Sequence, residues 1–346
     1  METAKPRNRR NAPTITDVAR HAGVSPMTVS RVINNEGAVR PATRERVEAA
    51  IAALHYAPSA AARQLAGGGE DTRIALLYSN PSAAYLSEFL MGCLDRASGL
   101  NAHLAVEKFD ECAAISAVVD HLRRGRVNGV VLPAPLCDCA AMVSALQAAD
   151  MAMVAVAMGV SRPDLSAISI DDFRAAEAMT HHLITLGHTR IGFIRGNPDQ
   201  SASARRHAGY RAALSAAGIA PDRALEAQGY FSYRSGLDAA RQILDAPHPP
   251  SAIFASNDDM AAATVAVAHA RRLDVPGDLT VCGFDDTPLA TTIWPELTTI
   301  HQPIRAMARA AVDHLVRAIR NGDSQVRHEQ HDFALVRRQS DAAPRA

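Results

Sequence analysis

Pro26, Met27, Ser30 and Arg31 fall on one face of a helix, while Val29, Val32 and Ile33 fall on the opposite face. A polar face that bears a guanidinium and is backed by an apolar one suits contact with base edges and phosphates in the DNA major groove. Ser25 can cap this helix by accepting an orphan backbone N–H, and Pro26 sits at the first position, where no N–H is needed. Upstream, Thr16 can cap a helix over Asp17 to Ala22. That helix should stop at Gly23, where a residue without Cβ takes the left-handed conformation cheaply. Ala19 is small enough for the two helices to cross closely. A third helix, about Thr43 to Leu54, can cover them through Val47, Ala50, Ile51 and Leu54. The segment from Thr14 to Pro58 therefore reads as a helix-turn-helix whose partner is DNA. A small helical cap with no such role fits less well, because capping, turn and polar outer face all agree.

Other chemistry is sparse. No GxGxxG, P-loop or GxSxG elbow occurs. Cys137-Asp138-Cys139 has no partner pair at ligand spacing, so these read as loop or helix-start cysteines and no metal site is expected. His188 in LGHTR reads as a helix-end cation favoured by the dipole. No catalytic residue and no cofactor is expected, and an enzyme of α/β class with an accessory DNA domain finds no support.

The elements that position these residues divide unevenly. The chain has 346 residues, 48% of them apolar, enough for a small domain plus a larger one. Net charge is zero, yet residues 1–66 hold ten Lys/Arg against five Asp/Glu, which leaves the remainder at −5. A basic end on an acidic body suits a DNA reader with a separate second function. Five scattered cysteines suggest reduced thiols in a cytoplasm. No apolar run approaches the ~20 residues a membrane span needs. METAKPRNRRNAP lacks a hydrophobic segment, so residues 1–13 read as a disordered basic arm able to add phosphate contacts. Residues 14–58 form the DNA-binding domain. Residues 59–70 form a linker: Ser59 can cap a short helix through Ala66, and three glycines follow. A helix of two turns is marginal alone and forms only against a partner, so it is a candidate switch.

From Arg73 onward short β-rich runs alternate with helices. The runs are IALLY (74–78), HLAVEKF (103–109), GVVLP (129–133), MVAVAM (153–158) and AISID (167–171), then RIGFIRG (190–196), a strand near 225–230, AIFASN (252–257) and LTVCGFDD (279–286). Such alternation implies parallel sheets covered by helices, here in two α/β lobes with a ligand crevice at the strands' carboxyl ends. Lobe one is expected at about 71–170 and 301–329, and lobe two at about 171–300 and 330–341. LTTIHQP and a helix at 304–320 read as a crossover to the first lobe, and HDFALVRRQS as a final strand returning to the second.

From Thr14 to Ser340 the chain resembles the lactose-repressor/galactose-repressor family of bacterial transcription regulators. The resemblance rests on TxxDVAxxAGVSxxTVSRVxN, HYxPxxxARxL, HLITLGHTRIGFI, ASNDDMA, GFDDT and LTTIHQP. It implies an N-terminal all-α helix-turn-helix domain on a two-lobed, periplasmic-binding-protein-like α/β body. It further implies a homodimer, a pseudo-palindromic operator and a small effector between the lobes, most simply a sugar or sugar acid that releases the protein from DNA. A corepressor is the alternative sign. A pure solute-binding protein is disfavoured by the helix-turn-helix.

Residue roles follow from the same resemblance. Pro26, Met27 and Arg31 correspond to base-contacting positions. Thr14, Thr16, Ser25, Thr28, Ser30, Asn34 and Thr43 correspond to phosphate-contacting ones. Leu65, supported by Ala62 and Ser59 in the linker helix, corresponds to a wedge in the minor groove. Arg206, Asn257 and Asp285 map to effector contacts, Phe231 and Tyr85 to pocket walls, and Asn80 and Ser82 follow the first strand toward the crevice. Trp294 is expected to pack or to line the cleft, Asp171 and Asp172 to cap a helix at the lobe junction in preference to an effector role, and Asp258 to be equally a helix cap or an effector contact. Met158-Gly159 stands where several sugar-responsive relatives have a polar contact, so no particular sugar transfers.

Overall fold

The computed structural model describes residues 13–33, 39–54, 56, 72–109, 114–323 and 325–345. The expected basic arm, the linker helix, Asn34, Ser59, Ala62 and Leu65 lie outside the described residues. The chain divides between Asp71 and Thr72 into two compact units.

The first unit is three helices: α1 (Ile15–Ala22), α2 (Pro26–Ile33) and α3 (Pro41–Ala53). The first cap differs from the sequence expectation. Thr14, not Thr16, caps α1: Asp17 N donates to Thr14 Oγ1 at 3.3 Å, and Thr14 N donates back to Asp17 Oδ2 at 2.9 Å. The carboxylate of Asp17 at the third helical position completes a reciprocal box that Thr16 cannot make, so the helix begins earlier. Gly23 then turns the chain at φ +64°, and Val24 N reaches Ala19 O at 3.0 Å. Val18, Ala19, Ala22, Val29, Val32, Val47, Ala50 and Tyr56 form the core, with Ile33, Ile51 and Leu54 at its margin.

The second unit holds two parallel sheets. The first has the order β11-β5-β4-β3-β1-β2 and the second β7-β6-β8-β9. In the first, β1 is Arg73–Tyr78, β2 His103–Lys108, β3 Gly129–Pro133, β4 Ala152–Val156, β5 Ser166–Ser169 and β11 His328–Gln330. In the second, β6 is Ile191–Arg195, β7 Glu226–Gln228, β8 Ala252–Ala255 and β9 Thr280–Cys282. Helices α4 (Ala83–Gly99), α5 (Ile115–Arg124) and α6 (Ala140–Ala148) belong to the first series. Helices α7 (Asp172–Thr185), α8 (Ser201–Ala216), α9 (Tyr233–Leu244), α10 (Asp258–Ala270) and the short α11 (Leu289–Thr292) belong to the second. The central strands are buried along most of their length, which is why they read as unbroken apolar runs.

The chain then recrosses. α12 (Ile304–Asn321) returns to the first sheet, burying Met307, Ala311, Val312 and Leu315 in its core. HDFALVRRQS holds the one strand expected of it, but that strand does not join the second sheet. β11 pairs with β5 and extends the first sheet, and β12 (Ala334–Val336) runs antiparallel to β10 (Thr299–His301) as a separate ribbon. Farther on, Val281 N donates to Ser340 O at 2.9 Å, tying the tail to β9.

Candidate functional site

On the first unit, α2 presents the expected outer face. Met27 is 66% exposed, and Pro26 and Arg31 are exposed beside it, while Val29 and Val32 are buried behind. Ser25 caps this helix as expected: Thr28 N donates to its Oγ at 3.2 Å, and the Ser25 and Thr28 hydroxyls lie 2.9 Å apart. A large apolar side chain held out in water is informative only where something covers it, and a groove wall or thymine methyl can. Thr16 is exposed on α1 and Thr43 half-buried on α3.

On the second unit, the ends of the strands converge on a cavity between the two sheets. Asn80, Ser82, Tyr85, Arg206, Phe231, Asn257 and Asp285, all seven expected contacts, line it together. Asn80 and Ser82 follow β1, Phe231 follows β7, Asn257 follows β8 and Asp285 follows β9. The site thus lies at the carboxyl ends of parallel strands, as the alternation implies. The enclosed part is about 30 Å³, within about 380 Å³ of space that includes the mouth. A larger groove of about 790 Å³ opens at the other ends of β3, β4 and β5, bordered by Arg123, Asp150, His314 and Arg327, and includes none of these residues.

Backbone strain concentrates at the smaller cavity. Ala157, Phe231 and Asp285 hold φ of +60°, +57° and +113°, in a region that costs non-glycine residues of order 1–3 kcal/mol each. Such positions persist only where the surroundings fix them, and three of the eight among the described residues line this site. Across the boundary, a Cβ on Gly159 would meet Ala202 N at 2.5 Å, so the lobes approach there at backbone distance.

Arg206, 5% exposed, organises the floor. Its Nε donates to Asp172 Oδ1 at 2.8 Å and its Nη1 to Ser256 O at 2.5 Å, with Asp285 Oδ1 at 3.7 Å from Nη1. The guanidinium lies 3.6 Å from the centroid of the Phe284 ring and 5.7 Å from that of Phe231. Burial raises the Asp172 carboxyl against the pull of Arg206. Burial also pushes Asp285 well above the usual carboxylate range; Arg206 opposes this and Asp258 reinforces it.

Several expected roles change. Asp171 caps α7, accepting from Arg174 N at 3.1 Å, but Asp172 is the partner of Arg206. Asn257, not Asp258, caps α10: its Oδ1 accepts from Met260 N at 3.0 Å, and its Nδ2 donates to Phe231 O at 3.0 Å. Asp258 is fully buried and accepts from Thr287 N, Thr287 Oγ1 and Thr299 Oγ1. Burial, against those bonds, lifts its carboxyl to about 7. Trp294 is 73% exposed and is absent from the cavity, so it neither packs in the core nor lines the cleft. His188 is 1% exposed, bonded to Ser251 Oγ and Ala342 O, and burial lowers its pKa. It is a neutral buried pin rather than a helix-end cation. Cys137 lies in a 3₁₀ turn (Leu136–Asp138) and Cys139 follows it, and among the described residues no cluster of His, Cys, Asp and Glu could hold a metal ion.

Five lining residues escaped the sequence reading: the small Ala134, Ala157 and Ala202, and the polar Gln200 and Gln302. Gln302 Nε2 donates to Asp285 Oδ1 at 2.6 Å. Its signal was LTTIHQP, which follows a strand. Gln200 immediately precedes α8 and had no comparable signal.

Two serine–carboxylate bonds cross between lobes at the cavity's rim. Ser82 Oγ, which also caps α4, donates to Asp259 Oδ2 at 2.6 Å. Ser201 donates to Asp138 through Oγ at 2.6 Å and through N at 3.1 Å, and its Oγ accepts from Gly159 N at 2.8 Å. Burial raises both carboxyls, and their serine partners oppose the shift.

A helix-turn-helix unit and a two-sheet body with a cleft at its strand ends, in one chain, define a DNA-binding regulator built on a periplasmic-binding-protein scaffold. Residues 14–59 match the model of bacterial regulatory proteins of the lacI family, and residues 180–340 that of periplasmic binding protein-like domains. The ribose operon repressor of Escherichia coli (strain K12) is 36% identical over 313 residues, covering 88% of this chain and 93% of that protein. The crystal structure of the lac repressor dimer bound to operator and the anti-inducer ONPF superposes with a TM-score of 0.82 at 30% identity, covering 96% of this chain and all of that one. A transcriptional regulator CelR–cellobiose complex gives 0.74 at 32%, covering 95% and all of that chain. The chain belongs to the lacI family of transcription regulators. Among the described residues no helix is long and apolar enough to cross a membrane.

Proposed function

We propose that this protein is a cytoplasmic repressor of carbohydrate-utilisation genes, released from a pseudo-palindromic operator when a small sugar or sugar-derived effector enters the inter-lobe cleft. The observation that carries the reading is the meeting of Arg206, Phe231, Asn257 and Asp285 with Asn80, Ser82 and Tyr85 around one strained, buried cavity. The names of the relatives support it: one is a ribose operon repressor, and one structure holds cellobiose.

In this reading a homodimer docks two copies of α2 in successive major grooves. Arg31 reads a base, Pro26 and Met27 supply apolar contact, and Thr14, Thr16, Ser25, Thr28, Ser30, Asn34 and Thr43 position phosphates. Thr14 donates its hydroxyl proton to Asp17, so a phosphate contact there requires that proton to turn to the phosphate or passes to its neighbours. Leu65, with Ala62 and Ser59, wedges the minor groove. The domain limits are those read from the sequence, with 59–70 as the linker. The effector acts by its difference in affinity between two lobe arrangements, because equal affinity would shift nothing.

The test is fluorescence anisotropy on a labelled pseudo-palindrome from upstream of the gene or its neighbours, at fixed salt with excess nonspecific DNA. Release by one sugar supports the reading. Tighter binding with a compound would reverse the sign to a corepressor, and no specific binding would refute it.

A further inference from the structure

We infer that the cleft selects an uncharged polyhydroxylated effector and rejects carboxylated or phosphorylated ones. This rests on the reading of the cavity as the effector site. Three side chains there are at least nine-tenths buried and keep a polar atom without a partner: Tyr85 Oη, Gln200 Nε2 and Gln302 Oε1. A buried polar atom left unmade is costly, so such atoms mark where a ligand's groups belong. The bond from Gln302 Nε2 to Asp285 fixes that amide and leaves its Oε1 as an acceptor. Gln200 Nε2 is a donor, and the Tyr85 hydroxyl is both, its proton held by burial. A mixed donor–acceptor set of this kind matches hydroxyl groups, which both give and take.

The charge balance excludes anions. Arg206 is the one cation lining the cavity among the described residues. Its Nε and Nη1 are already committed to Asp172 and Ser256, and Asp285 lies 3.7 Å from Nη1. Asp258 and Asp259 stand behind the same wall, held by Thr299, Thr287 and Ser82. An entering carboxylate or phosphate would therefore lose its hydration in a space whose one guanidinium is already balanced by Asp172 and faced by Asp285, with only its Nη2 left without a hydrogen bond.

The experiment is titration calorimetry on the full-length protein with paired probes. Ribose, glucose and cellobiose are set against ribonate, gluconate, cellobionate, ribose 5-phosphate and glucose 6-phosphate. A neutral sugar should bind, with its acid and phosphate counterparts at least thirtyfold weaker. Gln200→Ala and Tyr85→Phe should each weaken the neutral ligand about tenfold, the loss of one hydrogen bond, without lowering the melting temperature of the free protein. An anion that binds as tightly as its neutral counterpart overturns the inference. If Phe231→Ala abolishes that anion's binding, the cavity reading survives; if it does not, that reading falls as well. No heat from any neutral sugar overturns the inference directly.

Discussion

Replacing Arg206 by leucine removes the partner of two buried carboxylates at once. Asp172 and Asp285 are 3% and 4% exposed, and the Ser256 carbonyl would lose its donor. Breaking a buried pair from one side costs about 3–5 kcal/mol, because the remaining charge has neither water nor a counter-ion. For a body of this size each kcal/mol moves the melting temperature by about 2–4 °C, so the transition should fall by about 6–20 °C at pH 8. The loss should depend on pH. Both carboxyls already sit above their unfolded range, and without Arg206 they rise further. An acid whose folded pKa exceeds its unfolded value binds more protons when folded. Its penalty is full above the folded pKa and is relieved as pH falls through it. The gap between variant and wild type should therefore narrow from pH 8 to pH 5, followed by circular dichroism during heating. Adding Asp172→Asn to Arg206→Leu should recover part of the stability at pH 8. A loss below about 1 kcal/mol, or an equal loss at both pH values, would refute the charge argument.

Three further outcomes follow from the same geometry. Arg31→Ala should weaken operator binding by about 1–3 kcal/mol in anisotropy titrations at fixed salt while leaving nonspecific binding near its starting value; equal losses on both DNAs would demote Arg31 to a phosphate contact. Gly23→Ala meets nothing within 4 Å, so only its φ of +64° is strained, and hydrogen exchange should report α1 and α2 destabilised by about 1 kcal/mol; unchanged protection would contradict the turn argument. Ser201→Ala deletes a charge-assisted inter-lobe bond worth about 1.5–3 kcal/mol, so stopped-flow effector binding should show association and dissociation both faster by tenfold or more. Slower dissociation would show that the bond does not hold the cleft shut.

Much of the functional arrangement was legible in the sequence because it sits next to periodic elements. Asn80, Asn257 and Asp285 each end an apolar run, and strand ends of a parallel sheet face one crevice. Gly23 and Ser25 punctuate α1 and α2 by local chemistry alone. The misreadings share a different cause. Asp172, Asp258 and His188 each looked like a local helix-terminus residue. Their partners Arg206, Thr299 and Ala342 lie 34, 41 and 154 residues away. Thr16 lost the cap to Thr14 because the carboxylate of Asp17 decides the frame. β11 went unread because a three-residue strand carries too few positions for a period to show.

The most direct test of effector control compares wild type with Phe231→Ala on one operator. Phe231 is buried against the cavity, far in sequence from every expected DNA contact. The account predicts equal operator affinity for both proteins, release of wild type by the neutral sugar it binds, and retention of the variant at the same sugar concentration. Release of both proteins with the same dose dependence would contradict it, since the signal would then enter somewhere other than this cleft.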